Sequence, residues 1–144
     1  LPICQITLRA QKPSLIPQNP ESIGEHIRKR RLEQSLFQSD VARIIGVEET
    51  SIYNWESNRS NPSVKYIPKI IKFLGYIPFG ITSASPDEQI KLYRRIRGIS
   101  QKNLANEIGI DPTTLARMEK NEGESPEGFQ NSLRNYFDKL QNQK

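Results

Sequence analysis

Side chains suited to covalent or acid–base chemistry are scarce in this sequence. It holds one cysteine, Cys4, and one histidine, His26. A lone cysteine closes neither an internal disulfide nor a cysteine-rich zinc site. A lone histidine rules out His-pair metal motifs and leaves little for general acid–base catalysis. No Gly-rich loop of the phosphate-cradling kind occurs, so no cofactor is expected and an enzyme is disfavoured. The densest charged run, Arg28-Lys29-Arg30-Arg31, reads as the solvated face of a helix. His26 reads as an exposed helix residue and Cys4 as an incidental thiol. Any function must therefore rest on non-covalent recognition by polar side chains, and their placement depends on the elements that carry them.

The 144 residues carry a net charge of +5, with 35% apolar side chains and 8 glycines. That apolar share is modest for a globular chain and disfavours a large enzyme with a deep pocket. The longest apolar stretch, Ile67 to Ile81, is broken by Pro68, Lys69, Lys72, Gly75 and Pro78, so no membrane span or membrane partner is expected. No secretory leader is recognisable, and a soluble cytoplasmic protein is the expectation. The positive balance makes an acidic polymer a natural partner to test. It is spread thinly: residues 1–20 contribute +2, 21–80 another +2, and 86–144 only +1.

Pro2, Pro13, Pro17 and Pro20 make residues 1–20 an extended arm, with Ile3 to Leu8 as a short strand at most. Helical spacing begins after it. Ser22 is placed to cap a helix carrying Ile23, Ile27, Arg31 and Leu32. Further helices are expected over Gln38 to Ile45, ending at Gly46, and over Glu49 to Glu56, with Ile52 and Trp55 on one face. Ser63 is placed to cap a fourth, through Ile67, Ile70, Ile71 and Leu74, with Pro68 confining its start. Residues 76–86 break helix repeatedly and read as a linker.

Sliding the sequence on itself by 63 residues superposes Ile27/Ile90, Arg31/Arg94, Gln38/Gln101, Ala42/Ala105, Ile45/Ile108, Gly46/Gly109, Thr50/Thr113, Glu56/Glu119 and Asn58/Asn121. These matches fall on the core, the turn glycine and one Arg–Glu pair. The expected domains are thus 21–75 and 87–144, joined by 76–86. Within each copy a small alanine lets two helices approach, and a glycine four residues on takes the left-handed turn. Val47 or Ile110 then seals the corner. Asp111-Pro112 supplies an N-cap and a first-turn proline to the second copy.

This spacing resembles the Cro and phage-repressor type helix-turn-helix family, also called the xenobiotic-response-element family. The first copy carries the resemblance through Gln38, Ala42, Gly46, Val47, Ile52 and Trp55-Glu56, followed by Asn58-Arg59 and Pro62. The second carries it through Ile99-Ser-Gln-Lys-Asn-Leu-Ala and Ile110-Asp-Pro-Thr-Thr-Leu-Ala-Arg-Met-Glu. The implied fold is all-α: two tandem small helical bundles, lambda-repressor-like, behind the extended arm. The implied function is sequence-specific binding of double-stranded DNA, in a transcriptional regulator. In that family the second helix of the motif enters the major groove. The resemblance then assigns base contacts to Glu49, Thr50, Ser51 and Asn54, and in the second copy to Pro112, Thr113, Thr114 and Arg117. Asn54 suits adenine, the Thr50 methyl thymine, and Arg117 guanine; Glu49 either accepts from cytosine or repels phosphate.

Gln38, Gln101 and Arg59 are assigned to phosphate. Ile52, Trp55, Leu115 and Met118 are expected in the core, and Arg31/Glu56 and Arg94/Glu119 as structural ion pairs. Two readers in one chain suit a covalent pseudo-dimer. Eleven linker residues reach roughly 36–40 Å, against about 34 Å for one duplex turn. The second copy departs from the pattern, with Met118 for the tryptophan and three acids in Asn121-Glu-Gly-Glu-Ser-Pro-Glu. That departure supports the alternative, an antitoxin-like or co-regulator module that engages a protein partner, or a second copy of itself, through domain 2.

Overall fold

Ser22 opens the first helix. Its Oγ accepts a hydrogen bond from the Glu25 amide at 3.1 Å, satisfying one of the free N–H groups of the first turn, and α1 follows over Ile23–Glu33. The structure, a computed structural model, describes residues 16–80 and 84–142. It continues with α2 (Gln38–Ile45), α3 (Glu49–Glu56), a 3-10 turn (Val64–Tyr66) and α4 (Ile67–Leu74). The second half holds α5 (Pro86–Arg97), α6 (Gln101–Ile108), α7 (Pro112–Glu119) and α8 (Glu127–Asn142). No strand occurs among the described residues, and the fold is all-α. Cys4 and the short strand expected over Ile3 to Leu8 lie outside them, as do Ile81 to Ser83 of the linker. So does most of the arm, of which 16–20 is described and non-helical.

The described residues form two compact units, 16–62 with 69–78, and 63–68 with 79–142. In the first, Ile27, Val41, Ile45, Ile52 and Ile70 are fully buried, with Trp55 and Leu74 nearly so. Between α2 and α3 the chain turns on Gly46, at φ 85° and ψ 42°, a conformation that costs glycine little. Gly109 makes the same turn between α6 and α7 at φ 77°. Preceding alanines, Ala42 and Ala105, are buried where their helices meet the next. The second unit packs Ile90, Leu104, Ala105, Leu115 and Met118 around Phe129, Leu133 and Phe137 of α8, which recur every four residues on one face. Phe79 and Ala84, from the segment read as linker, lean on this core. The Arg95 guanidinium covers the Phe79 ring at 4.1 Å.

Two capping expectations fail in detail. Ser63 stands at the N-cap of the 3-10 turn without a side-chain hydrogen bond. Proline tolerates only the first turn of a helix, so Pro68 delays α4 to Ile67. Asp111 holds the N-cap place of α7, yet its carboxylate bonds no helix amide; Pro112, preset at helical φ, starts the helix instead. His26 is also more engaged than an exposed helix residue. Its Nδ1 lies 2.8 Å from the Tyr76 hydroxyl, and the rings meet edge-on with centroids 5.6 Å apart.

The repeat reaches further toward the N-terminus than the matched residues suggested. Ser22 and Glu25 recur as Ser85 and Glu88, a Ser-x-x-Glu start in both units. Asn58 and Asn121 both adopt φ 60° just past α3 and α7. In the first unit Asn58 accepts from the Ser22 hydroxyl at 2.6 Å and donates to Glu25 at 3.0 Å, tying the end of α3 to the start of α1. In the second, Ser85 donates to Asp87 instead, at 2.7 Å, and its amide donates to Glu88 at 2.8 Å.

Gly24 is buried where α1 crosses α3, and a Cβ there would overlap the Trp55 carbonyl. Gly24→Ala should therefore destabilise the first unit by about 1–3 kcal/mol or more. Gly128→Ala on α8, where a Cβ meets open space, should be neutral or stabilising by up to about 1 kcal/mol. Equal urea midpoints for the two variants would contradict this packing.

Burial and the nearby Lys29 hold the His26 pKa below its ordinary value, against the opposing pull of Glu25. The unfolded chain binds the histidine proton near pH 6.5 and the folded chain only below it. Stability should thus be steady at higher pH and fall as the pH drops through about 6.5. His26→Gln should flatten that stretch of the melting-temperature profile; an unchanged slope would assign it to other groups.

Candidate nucleic-acid interface

The outer faces of α3 and α7 are set by what their inner faces must hold. Ile52, Trp55 and Glu56 of α3 are buried, as are Leu115, Met118 and Glu119 of α7. A buried glutamate is costly unless its oxygens are paired and hydrogen-bonded. Both are. Arg31 donates to Glu56 through Nε at 2.7 Å and Nη2 at 2.8 Å, and its Nη1 donates to the Leu36 carbonyl at 3.1 Å. Gln38 Nε2 adds a third bond to Glu56 at 3.0 Å. The second unit repeats the cluster, with Arg94 to Glu119 at 2.8 and 3.4 Å and Gln101 to Glu119 at 2.7 Å. The two ion pairs expected from the resemblance are present, and each is a triad joining three helices.

Gln38 and Gln101, expected at phosphate, thus spend one amide hydrogen on a buried carboxylate. The amide nitrogen carries two, so a second donor remains on each half-buried side chain. With the inner face fixed, Glu49 and Thr50 are exposed on α3, while Ser51 and Asn54 are half-buried. On α7 Pro112, Thr113, Thr114 and Arg117 are all exposed. Asn54 and Arg117 stand 63 residues apart, one step before the buried Trp55 and Met118.

Arg59 is exposed past the end of α3, where its backbone N–H donates to the Asn54 carbonyl at 2.9 Å. Its guanidinium lies 5.2 Å from the ring centroid of Tyr53, itself 45% exposed on α3. Sequence reasoning passed over Tyr53. The signal was an aromatic out of phase with the Ile52–Trp55 core face, where the second copy has Ala116. Tyr53 also borders a surface cavity of about 210 Å³ with Arg28, Arg31, Gln38, Glu56 and Ser57. In the second unit Lys91, Ala116, Lys120 and Glu122 take the places of Arg28, Tyr53, Ser57 and Arg59. Glu122 and Glu124 are exposed there.

Among the described residues no group of histidine, cysteine and carboxylate side chains is arranged to hold a metal. None of their helices is long and apolar enough to cross a membrane.

A family model for helix-turn-helix domains of the Cro/C1 type matches residues 27–81 and 90–126. The chain belongs to that family. The two segments run from within α1 through α4 and from within α5 through α7, so this Cro/C1-type chain carries the motif twice in tandem. Membership makes it a DNA-binding helix-turn-helix protein of the repressor-like, transcription-regulating kind. Comparison with curated proteins and with solved structures gives no match.

Removing one member of a buried, hydrogen-bonded ion pair strands the other. Glu56→Ala leaves both Arg31 and Gln38 without their acceptor and should cost about 3–5 kcal/mol. Glu119→Ala should cost a similar amount in the second unit. Urea denaturation followed by circular dichroism measures both, and a loss under about 1 kcal/mol would show that the triad does not hold the recognition helix.

Proposed function

We propose that this chain binds double-stranded DNA sequence-specifically, with α3 and α7 in the major groove, as a transcriptional regulator. The observation that carries this reading is the polar outer face of each helix, backed by a buried Arg–Glu–Gln cluster. A helix that presents base-reading side chains must be pre-positioned, because a mobile element gives up ordering free energy on binding. Asn54, whose amide has no hydrogen-bond partner among the described residues, is the adenine reader of the first unit. Thr50 offers its methyl group to thymine, and Ser51 a hydroxyl to either base pair. Glu49 accepts from a cytosine amino group at the leading edge of α3. In the second unit Arg117 reads guanine, with Pro112, Thr113 and Thr114 against neighbouring base edges. Arg59 contacts phosphate, and the Tyr53 ring restricts where its guanidinium can go. Gln38 and Gln101 turn their second N–H toward the backbone, fixing register without reading sequence.

Asn54→Ala should relax base preference at one position of the bound site, costing about 1–3 kcal/mol against the preferred base and little against others. Arg59→Ala should weaken all duplexes alike and lower the slope of log affinity against log salt by about one. Gel shifts over a salt series, with preferred and random duplexes, measure both. A uniform loss across sequences for Asn54→Ala would remove it as a base reader. Salt-insensitive behaviour of the full chain on every duplex would overturn DNA binding itself.

A further inference from the structure

The two units share one frame and differ in what they display on it. The shared part is close in detail: recognition helices of eight residues each, preceding glycines at φ 85° and 77°, and following asparagines both at φ 60°. The buried triads match as well, with arginine Nε to glutamate at 2.7 and 2.8 Å and glutamine to glutamate at 3.0 and 2.7 Å. Position 54 in the first unit and position 117 in the second therefore occupy the same slot relative to their own helix ends. The slot holds an asparagine in one unit and an arginine in the other. These two side chains are not interchangeable at a base edge. An amide presents a donor beside an acceptor, the donor matching adenine N7 and the acceptor adenine N6, whereas a guanidinium gives donors only and matches guanine O6 and N7. The leading residue of the helix differs too, Glu49 against Pro112, an acceptor against a side chain with no polar atom.

The surroundings add a second asymmetry. The first recognition helix carries Tyr53, and past its end stands Arg59, whose guanidinium lies 5.2 Å from the Tyr53 ring centroid. At the matching places of the second unit stand Ala116 and Glu122, the latter exposed. The first unit thus carries an exposed cation where the second carries an exposed carboxylate, and a carboxylate beside a phosphate backbone subtracts from affinity.

We infer that one chain reads a non-palindromic duplex with two unlike half-sites: a dominant half recognised by Asn54 through adenine, and a subordinate half recognised by Arg117 through guanine. The inference rests on the DNA-binding reading above and deepens it. A dimer of identical readers selects a palindrome because its two halves present the same side chains. A chain with two different readers has no such constraint, and its site has a direction.

The test is selection of bound sequences from a random duplex pool by the full chain, repeated with Asn54→Ala, Arg117→Ala and Asn54→Arg. Each position is exposed or half-buried, so these variants should keep the wild-type circular dichroism spectrum, which is checked first. The expected wild-type motif has two unlike halves. Asn54→Ala should erase preference in the stronger half alone, and Arg117→Ala in the weaker half alone, by roughly 5- to 150-fold against the preferred base. Asn54→Arg should move the stronger half toward guanine at the matching position. A palindromic motif, or a motif that Arg117→Ala leaves unchanged, would overturn the inference while leaving DNA binding in place. Absence of any enriched sequence, with salt-insensitive affinity for every duplex, would instead overturn the DNA-binding reading on which it rests.

Discussion

The structure turns on a carboxylate that has to be buried. Glu56 and Glu119 sit at the C-terminal ends of α3 and α7, on the faces that pack inward, and burying a carboxylate there is costly unless its oxygens are fully paired. An arginine from the preceding domain-opening helix and a glutamine from the start of the neighbouring helix supply that pairing. Three helix ends are thereby pinned to one point. Apolar residues of similar volume could match the stability of such a cluster. A hydrophobic contact, however, tolerates rotation and sliding of one helix over another, and a bidentate guanidinium–carboxylate pair does not. In the proposed mode of binding, where base contacts come from the opposite face of the same helix, that loss of rotational freedom is the useful product.

The same constraint explains which residues the helices leave outside. Once Ile52, Trp55 and Glu56 are fixed inward, helical geometry at 3.6 residues per turn leaves Glu49, Thr50, Tyr53 and, partly, Asn54 outward. Gly46 and Gly109 set where the helix begins, by turning the chain in a conformation that a Cβ would penalise. Gly24 sets how closely α1 approaches α3, since nothing larger than hydrogen fits against the Trp55 carbonyl. Reader, turn and support are thus specified by different residues, and a change at the reading face need not disturb the frame.

Most of the frame was legible in the sequence because it is written in periodic and steric signals. Gln38 to Ile45 and Glu49 to Glu56 are bounded by a turn glycine and by alternation of inner and outer faces, and the helices occupy those residues. The 63-residue repeat made the Arg–Glu pairs stand out before any geometry was known. What stayed hidden were interactions between side chains far apart in the chain with no periodic mark. The third member of each triad is one case, for a glutamine at a helix start looks as suited to phosphate as to a buried carboxylate. The hydrogen bonds from Asn58 to Ser22 and Glu25 are another, visible only once α1 and α3 are brought together. His26 and Tyr76 meet across 50 residues for the same reason. Capping by Ser63 and Asp111 was misjudged because a proline nearby decides the helix start whatever the cap residue offers.

The small net charge gives the recognition face its particular character. With residues 21–80 at +2 and 86–144 at +1, neither half carries the large net positive charge that drives non-specific attachment to a polyanion. In the proposed mode of binding, affinity for duplex comes from a few placed donors, with Arg59 a large share of the phosphate contacts. A local change of sign, Arg59 to Glu122 between the halves, weighs more here than it would in a strongly basic protein. Few phosphate contacts also mean little counterion release, so occupancy of a specific site should survive rising salt better than attachment to random duplex does. In the proposed mode of binding the two act on different terms of one ratio: weak bulk attraction lowers non-specific binding, and rigidly backed readers strengthen the specific contacts.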